Sequence, residues 1–428
     1  MNFRKHRITV TFLLRAVAFL SAIFISMHSA SAQGYQTFQA QLDSIRRRAT
    51  WTVGPFRIWP NLQLSAGYDD NIYGTFGTRP PVADYTASMS LPINVYLPFR
   101  DWLLLTFSDT PRYDYFFEVE KERAFNNSYF LGLRMLLLNR FVLSGDYGVS
   151  RIKYREFSEI DRRIFQEVRS SSGSISLETA RGSSLGLTGS IREYAYEDVA
   201  LEGTEVPLSS ALDREEREGR VDFFYPIFAE SSFFINASYT EFDFVNPQGS
   251  FRDSYAYQVN SGIAFPLLGR ARGRLSLGYR KLIPRDKTLK GFSGPAGNTS
   301  IEFRLSRINL RLQYLRDIPF SYGRNIFYIR SNYSTGLSFY LSSFLRLDYD
   351  FSYGGGKYPG SGEPDLPDGN REEAQRNDIY KSHSAGIVLR IIRSTGLGFS
   401  AVYSERNSSY DLYDLKRLTI GVFLTYEF

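Results

Sequence analysis

The chain has 428 residues and a formal net charge of +6, and 16% of its residues are aromatic. It contains no cysteine, which excludes disulfides, thiol nucleophiles and cysteine-ligated metal centres. After the first thirty residues no apolar run approaches the ~18 residues of a membrane-spanning helix, and the many aromatic and β-branched residues exclude a disordered chain.

The N-terminus carries the three-part pattern of a secretory signal peptide. Basic residues between positions 4 and 7 precede an apolar stretch over 16–27, and Ala30-Ser31-Ala32 provides a cleavage site. An uncleaved anchor helix is the alternative. Residues 1–32 hold four of the 51 basic residues and none of the 45 acidic ones, so the mature chain keeps 47 basic residues and is nearly neutral. This balance offers no argument for nucleic-acid binding.

Residues 33–55 form a separate leader before the first predicted strand. Within it, residues 36–48 are predicted to form a short helix that ends in the basic cluster Arg46-Arg47-Arg48. Three roles are open for this leader: occlusion of the fold that follows, contact with a periplasmic partner, or no contact at all. A solvated leader is the favoured interpretation.

From residue 56 to residue 428, apolar and polar residues alternate with period two, which is typical of β-strands. In the last segment one face carries Leu418, Ile420, Val422, Leu424, Tyr426 and Phe428. Many segments extend over ten or more residues, the length that a tilted strand needs to cross a bilayer, whereas soluble strands usually have about 5–6. We therefore predict one all-β domain, a transmembrane antiparallel β-barrel with an apolar outside and a polar inside, rather than a soluble sandwich.

The predicted connections alternate between eight short turns and nine longer loops, which gives about eighteen strands. Both chain ends then lie on the short-turn side, which is the periplasmic side of an outer-membrane barrel. The longer loops include residues 284–297 and 354–377. The second of these is rich in glycine and proline and is the best candidate to fold over or into the mouth. The stretch 197–216 is strongly acidic and is a candidate contact with lipopolysaccharide through divalent cations.

Charged residues of both signs fall on the polar face of the predicted strands. A lumen with such residues is hydrated or braced by ion pairs, and at 16–18 strands it is too wide for side chains to fill. Both a solute path and simple bracing of the wall are open for these side chains. The candidate lumen-lining residues are Arg134, Arg192, Arg274, Arg280, Glu302, Arg304, Arg311, Arg346, Asp348, Asp350, Arg390 and Arg417.

The sequence contains little that favours catalysis. His6 and His28 lie in the predicted signal peptide, which leaves His383 as the one histidine of the mature chain. No paired serine motif or orienting acid accompanies it, so we predict that the protein is not an enzyme. We expect no cofactor and no metal centre, since carboxylates such as Asp348 and Asp350 have many arginines as partners.

Two short motifs resemble those of known outer-membrane proteins. The C-terminal Thr425-Tyr426-Glu427-Phe428 resembles the last-strand signal that the barrel assembly machinery reads, with Tyr426 and Phe428 on its apolar face. Leu64–Tyr73, with the sequence LSAGYDDNIY, resembles the opening hairpin of the family called putative β-barrel porin 2. The similarity extends to Gly297–Ser300, Tyr314–Asp317 and Ser321-Tyr322.

This resemblance implies an outer-membrane barrel of about eighteen strands. Some members of the group belong to exopolysaccharide export systems, which implies a polysaccharide conduit with periplasmic export partners; the resemblance supplies no catalytic residues. Our main hypothesis is a pore in the outer membrane of a Gram-negative bacterium that carries an exopolysaccharide or another hydrophilic solute. The alternatives are a general diffusion porin, a structural or adhesive surface barrel, and an outer-membrane enzyme.

Overall fold

The computed structural model describes residues 37–75, 80–155, 162–199, 207–228, 231–268, 270–321, 326–359 and 376–428. The predicted signal peptide, residues 1–32, therefore lies outside the described residues. In the described part, no helix has both the length and the apolar character needed to cross a membrane.

Strands dominate the described part of the chain, where two α-helices accompany them: α1, Phe38–Arg48, and α2, Leu208–Leu212. The strands are β1 Trp51–Val53, β2 Phe56–Asp69, β3 Asp84–Ser90, β4 Ile93–Phe99, β5 Leu103–Asp109, β6 Arg112–Phe116, β7 Ala124–Leu137, β8 Phe141–Tyr154, β9 Ile164–Glu178, β10 Ser184–Tyr196, β11 Arg214–Phe228, β12 Ser231–Phe244, β13 Ser254–Leu268, β14 Ala271–Pro284, β15 Phe292–Leu305, β16 Ile308–Asp317, β17 Ile329–Tyr340, β18 Leu345–Tyr358, β19 Arg376–Ile392, β20 Thr395–Ser408 and β21 Leu415–Glu427.

These strands form one closed antiparallel barrel with eighteen positions, here called staves. A stave is either one long strand or two short strands that follow each other in line. Each stave pairs with its neighbours in the sequence, and the first stave, β2, also pairs with the last, β21, from Asn61↔Glu427 to Asp69↔Thr419. Two staves are interrupted, one between β3 and β4 at Pro92 and the other between β5 and β6 at Pro111. Proline has no N–H to donate, so each interrupts the hydrogen-bonded ladder. The predicted fold class and strand number are confirmed.

The two faces of each stave differ in character. Along β18, Leu347, Tyr349 and Tyr353 are exposed and share one face, whereas Arg346 and Asp348 occupy the other. On the neighbouring staves too, large exposed apolar residues occupy alternate positions and lie on the same face of the sheet. In a closed barrel the apolar face meets lipid and the opposite face meets the lumen. The observed faces therefore agree with an apolar outside and a polar inside.

Two predicted loops are wrong in extent. Loop 284–297 ends early, because β15 begins at Phe292, and loop 354–377 loses both ends, because β18 extends to Tyr358 and β19 begins at Arg376. Gly354, Gly355 and Gly356, which indicated a loop, are strand residues of β18, and the backbone approaches the first two closely: a Cβ on Gly354 would lie 2.5 Å from the carbonyl oxygen of Ser331. Glycine is required there by crowding rather than by a turn. The central part of the second loop, residues 360–375, lies outside the described residues.

The two ends of the barrel differ in their connections. One end, here called the short-turn mouth, carries the short turns, such as residues 100–102 and 138–140, together with the chain ends; the other, the long-loop mouth, carries the longer connections. The short strand β1 pairs with the first residues of β2, next to the part of β2 that pairs with β21. Trp51 lies opposite Ile58, and Val53 lies opposite Phe56. The orientation of these mouths in the membrane stays a prediction.

Candidate functional site: the lumen and its two mouths

All twelve predicted lumen residues lie on the inward face of their strands, opposite to the exposed apolar residues in the strand register. They do not form one cluster, because they are distributed over eight staves from β7 to β21. Most of them pair with a neighbour on the same wall. The lumen is therefore lined by several separate groups of charges rather than by a single site.

One group lies on the wall formed by β10, β11, β12 and β14. Arg192 lies 4.0 Å from Glu216, and Arg214 pairs with the same carboxylate at 2.9 Å. Further along the wall Arg274 donates to Asn236 at 2.9 Å, and its guanidinium lies 3.7 Å from the centre of the Phe234 ring. These contacts hold the arginines against the wall, which keeps the middle of the lumen open to water.

A second group extends over β14, β15, β16 and β17. Glu302 accepts hydrogen bonds from Arg272 at 2.6 Å and from Arg304 at 2.9 Å. In the same way, Asp317 forms ion pairs with Arg280 at 3.2 Å and with Arg330 at 3.3 Å. Each carboxylate is thus shared by two arginines, so this wall carries net positive charge.

A third group lies on β16 to β19. Arg346 pairs with Asp348 at 2.9 Å, whereas Asp350 and Arg311 face each other across Gly336 in the strand register. No carboxylate of the described residues lies within ion-pair distance of Arg311 or Arg390. These two cations are therefore available to a solute. The last candidate, Arg417, is not available, because it is buried and bonded to Asp69.

A fourth part of the wall is rich in hydroxyl side chains and was not predicted. On β8, β9 and β10 the inward face carries Ser144, Ser174, Ser190 and Thr188, with Ser144 opposite Ser174 and Ser174 opposite Thr188. We call these four residues the hydroxyl strip. Their side chains make no hydrogen bond to any residue that the structure describes. Their signal in the sequence is the serine run from 170 to 176, in which every second residue points inward.

Helix α1 occupies the short-turn mouth. Its residues Phe38, Leu42 and Ile45 are buried in one cluster with Leu104 and Val142 of the barrel wall. Trp59, Tyr96 and Leu136, which also face inward, pack against this cluster. The favoured interpretation of a solvated leader is therefore wrong for residues 38–48: the sequence predicted a short helix, but not the apolar patch on the lumen wall that receives it.

Polar contacts hold the same helix at its edges. Arg46 pairs with Asp101 at 2.8 Å, and Gln39 donates to the backbone carbonyl of Asp101 at 2.8 Å. Arg134, one of the predicted lumen residues, donates to Gln41 at 2.7 Å. All these partners lie within a few residues of a short turn, so the helix lies inside the barrel end rather than below it.

The long-loop mouth is narrowed by the described parts of one connection, residues 318–321 and 326–328. Its residues Ile318, Phe320, Ile326 and Phe327 are buried against an apolar patch on the inner wall. That patch contains Phe242, Phe244, Ala256, Leu282, Phe292 and Ala296. Helix α2 packs beside it, with Leu208 and Leu212 completely buried. The described segments that fold inward are therefore 318–321 and 326–328, in a connection that the sequence did not distinguish from the others.

Arg252 joins these two inward elements. It is 2% exposed and donates to the carbonyl oxygens of Ser321 at 3.1 Å and Ala211 at 3.3 Å. One cationic side chain therefore binds both the inward loop and helix α2. Hydrogen bonds from a charged donor contribute about 1.5–3 kcal/mol each.

Replacing Arg252 by alanine should release the loop 318–328 from the lumen wall, because two carbonyl groups lose their buried donor. We expect faster proteolytic cleavage between residues 318 and 328 in the refolded protein, measured by mass spectrometry of the fragments. Lys287→Ala, in the next connection, is the control, because Lys287 is exposed. Equal cleavage of both variants and the parent would contradict a role for Arg252 in holding the loop.

A buried polar network stiffens the long-loop end near the first staves. Arg163 and Arg112 both pair with Asp114, and Lys153 pairs with Glu122 at 3.2 Å. Tyr73 donates to Glu122 at 3.1 Å. Burial, assisted by the neighbouring charge of Glu122, raises the pKa of Tyr73, so its hydroxyl stays a donor at any physiological pH.

His383 lies away from the lumen. It is on the outward face of β19, where its Nδ1 lies 2.9 Å from the hydroxyl of Tyr349 and its ring lies beside Phe351. Among the described residues, neither a serine hydroxyl nor a carboxylate forms a hydrogen bond with it. No group of acidic and histidine side chains in the described part of the chain is arranged to hold a metal ion. The absence of enzymatic activity stays a prediction.

The barrel is similar to solved outer-membrane barrels of Pseudomonas aeruginosa. OpdK, solved with vanillate, shares 10% identity with a TM-score of 0.50, over 87% of this chain and 98% of that one. OpdQ shares 8% identity with a TM-score of 0.47, over 87% and 97%. The siderophore receptor PirA shares 10% identity with a TM-score of 0.44, over 87% and 80%. At these identities the similarity concerns the fold alone.

Among curated proteins none matches the sequence. A family model does match it: the one described as putative β-barrel porin 2 covers residues 49–428, which is the whole barrel. The closed barrel, its apolar outer face and its charged lumen are the features of a porin-like channel. The chain therefore belongs to the putative β-barrel porin 2 family and is a porin-like β-barrel of the outer membrane.

Proposed function

We propose that this barrel is a conduit for a hydroxyl-rich solute, an exopolysaccharide in the first place, across the outer membrane. The hydroxyl strip carries this proposal. Its four side chains face the lumen without partners among the described residues, in a channel whose other walls are charged. Hydroxyl groups donate and accept, so they can exchange hydrogen bonds with successive sugar hydroxyls as a chain slides past.

The remaining walls support the same function. Most of their arginines are held by carboxylates of the wall, as at Glu302 and Asp317, which leaves fewer donors free to bind a solute tightly. A solute that must move should be bound weakly and at many points, since strong single contacts would hold it in place. Ser174 and its neighbours meet this requirement, because each hydrogen bond exchanged with water has a small net free energy, about 1 kcal/mol.

Conductance in planar bilayers tests this proposal. The mature chain should give defined current steps, and a neutral glucan oligosaccharide should interrupt them. Replacing Ser144, Ser174 and Ser190 together by alanine should raise the concentration needed for half-block roughly a hundredfold, since about 1 kcal/mol is lost for each of the three hydrogen bonds to sugar. The physical reason is that alanine removes the donors while it leaves the width of the lumen nearly unchanged.

A triple variant on the opposite wall is the matched control. Ser334, Ser338 and Ser352 also face inward, on β17 and β18, and their replacement by alanine should leave the block unchanged. Equal block in both triple variants would favour a general diffusion porin without a sugar path. An absence of current steps in every form of the protein would remove the pore and leave a structural barrel.

A further inference from the structure

We infer that helix α1 is a displaceable gate in the short-turn mouth. This inference concerns the regulation of the conduit and therefore rests on the function proposed above. It starts from an anomaly on the inner wall. Most of the wall is polar, but Trp59, Tyr96, Leu104, Leu136 and Val142 form an apolar patch at this end. In an open aqueous lumen these side chains would face water, which is unfavourable for apolar area.

Helix α1 covers this patch with a matching apolar face. Phe38, Leu42 and Ile45 follow the spacing of one helix face, and their exposed fractions are 3%, 0% and 6%. The opposite face, with Ala40, Asp43 and Arg47, stays exposed. The helix is therefore bound as an amphipathic segment on a surface and is not enclosed on all sides, so it can leave without opening the barrel wall.

Its polar contacts are of the kind that exchange easily. In the ion pair Arg46–Asp101 the side chains are 35% and 73% exposed. Exposed pairs contribute little to stability. The bonds from Gln39 to the backbone of Asp101 and from Arg134 to Gln41 are also at the edge of the helix. The apolar face therefore provides most of the attachment, and the polar contacts set the position of the helix.

A very short segment connects the helix to the barrel. Only Ala49 and Thr50 separate the end of α1 from β1. Strand β1 is fixed, because it pairs with β2 and its Trp51 ring lies 5.6 Å from the ring of the C-terminal Phe428. The helix thus has a firm anchor next to a short hinge. After release it would stay attached at the rim and could close the mouth again.

The absence of cysteine allows a direct test in the full mature chain. A disulfide between Leu42→Cys and Leu104→Cys, two residues of the same buried cluster, should lock the helix on the wall. A helix is about 10–12 Å wide, so we expect the locked protein to give current steps roughly half as large as the reduced protein. Leu42→Asp, which places a charge in the apolar contact, should give the large steps without any reducing agent.

A cysteine pair on the outer wall is the matched control. Tyr349 and Ala385 lie opposite each other on β18 and β19, both outward, so Tyr349→Cys with Ala385→Cys should show no effect of oxidation on conductance. Identical steps in the locked, reduced and Leu42→Asp proteins would overturn the gate and leave the conduit intact. Failure of the first pair to cross-link would also overturn it, because the helix would not occupy this site. A silent Leu42→Asp protein would instead contradict the conduit itself.

Discussion

Replacing Arg417 by alanine should lower the free energy of unfolding by about 3–5 kcal/mol, the cost of leaving a buried charge without its partner. Arg417 on the last stave donates to Asp69 on the first stave with two nitrogen atoms, at 3.0 Å for the Nε contact. Their side chains are 4% and 1% exposed. Loss of Arg417 would therefore leave the carboxylate of Asp69 isolated at the seam that closes the barrel.

Unfolding of the refolded barrel by guanidinium chloride, followed by tryptophan fluorescence, measures this effect. The double variant Arg417→Met with Asp69→Leu should recover most of the loss, since removal of both charges leaves none uncompensated. Lys381→Ala is the matched control, because its ion pair with Glu405, which joins the nearby staves β19 and β20, is much more exposed. If Arg417→Ala and Lys381→Ala were equally stable, the buried pair would not be what holds the seam.

Deletion of Phe428 should remove most of the folded protein from the outer membrane. This residue ends the chain, and its ring lies 4.7 Å from that of Tyr426 and 5.6 Å from that of Trp51. The last strand resembles the signal that the assembly machinery reads, so the expected defect is in delivery and insertion. The amount of heat-modifiable barrel in outer-membrane fractions measures it.

Refolding in detergent separates recognition from stability. The protein without Phe428 should still refold in detergent, where no assembly machinery acts, because the pairing between β2 and β21 ends at Glu427. Phe399→Ala, which removes another exposed outward ring, should assemble normally in cells. A normal amount of barrel in cells without Phe428, or a loss just as large for Phe399→Ala, would contradict a specific signal at the chain end.

Much of the barrel followed from local pattern. The period-two alternation of the last segment predicted which face of β21 is apolar, and the same rule placed Arg346 and Asp348 in the lumen. Side chains alternate strictly along a strand, so a single residue of known face determines all the others. The loops were less predictable. Gly354 suggested a loop, although it is a strand residue that glycine suits because Ser331 lies so close.

The contacts between side chains inside the lumen did not follow from local pattern. The sequence predicted Arg417 as a lumen residue, but its burial against Asp69 depends on the meeting of residues 348 positions apart. The hydroxyl strip appears only when Ser144, Ser174 and Thr188 come into register on three strands. Registers between strands depend on how the whole sheet closes, and no single segment contains that information.

The sequence by itself determined the barrel, its approximate strand number, its polar interior and its family, because these depend on alternation along each strand and on short local motifs. Only the tertiary structure decided what lies in the two mouths. The sequence predicted a short helix, but the patch that receives Phe38, Leu42 and Ile45 of helix α1 is assembled from five staves, with Trp59 and Val142 far apart in the chain. Burial of apolar surface depends on proximity in space, which a linear pattern does not specify.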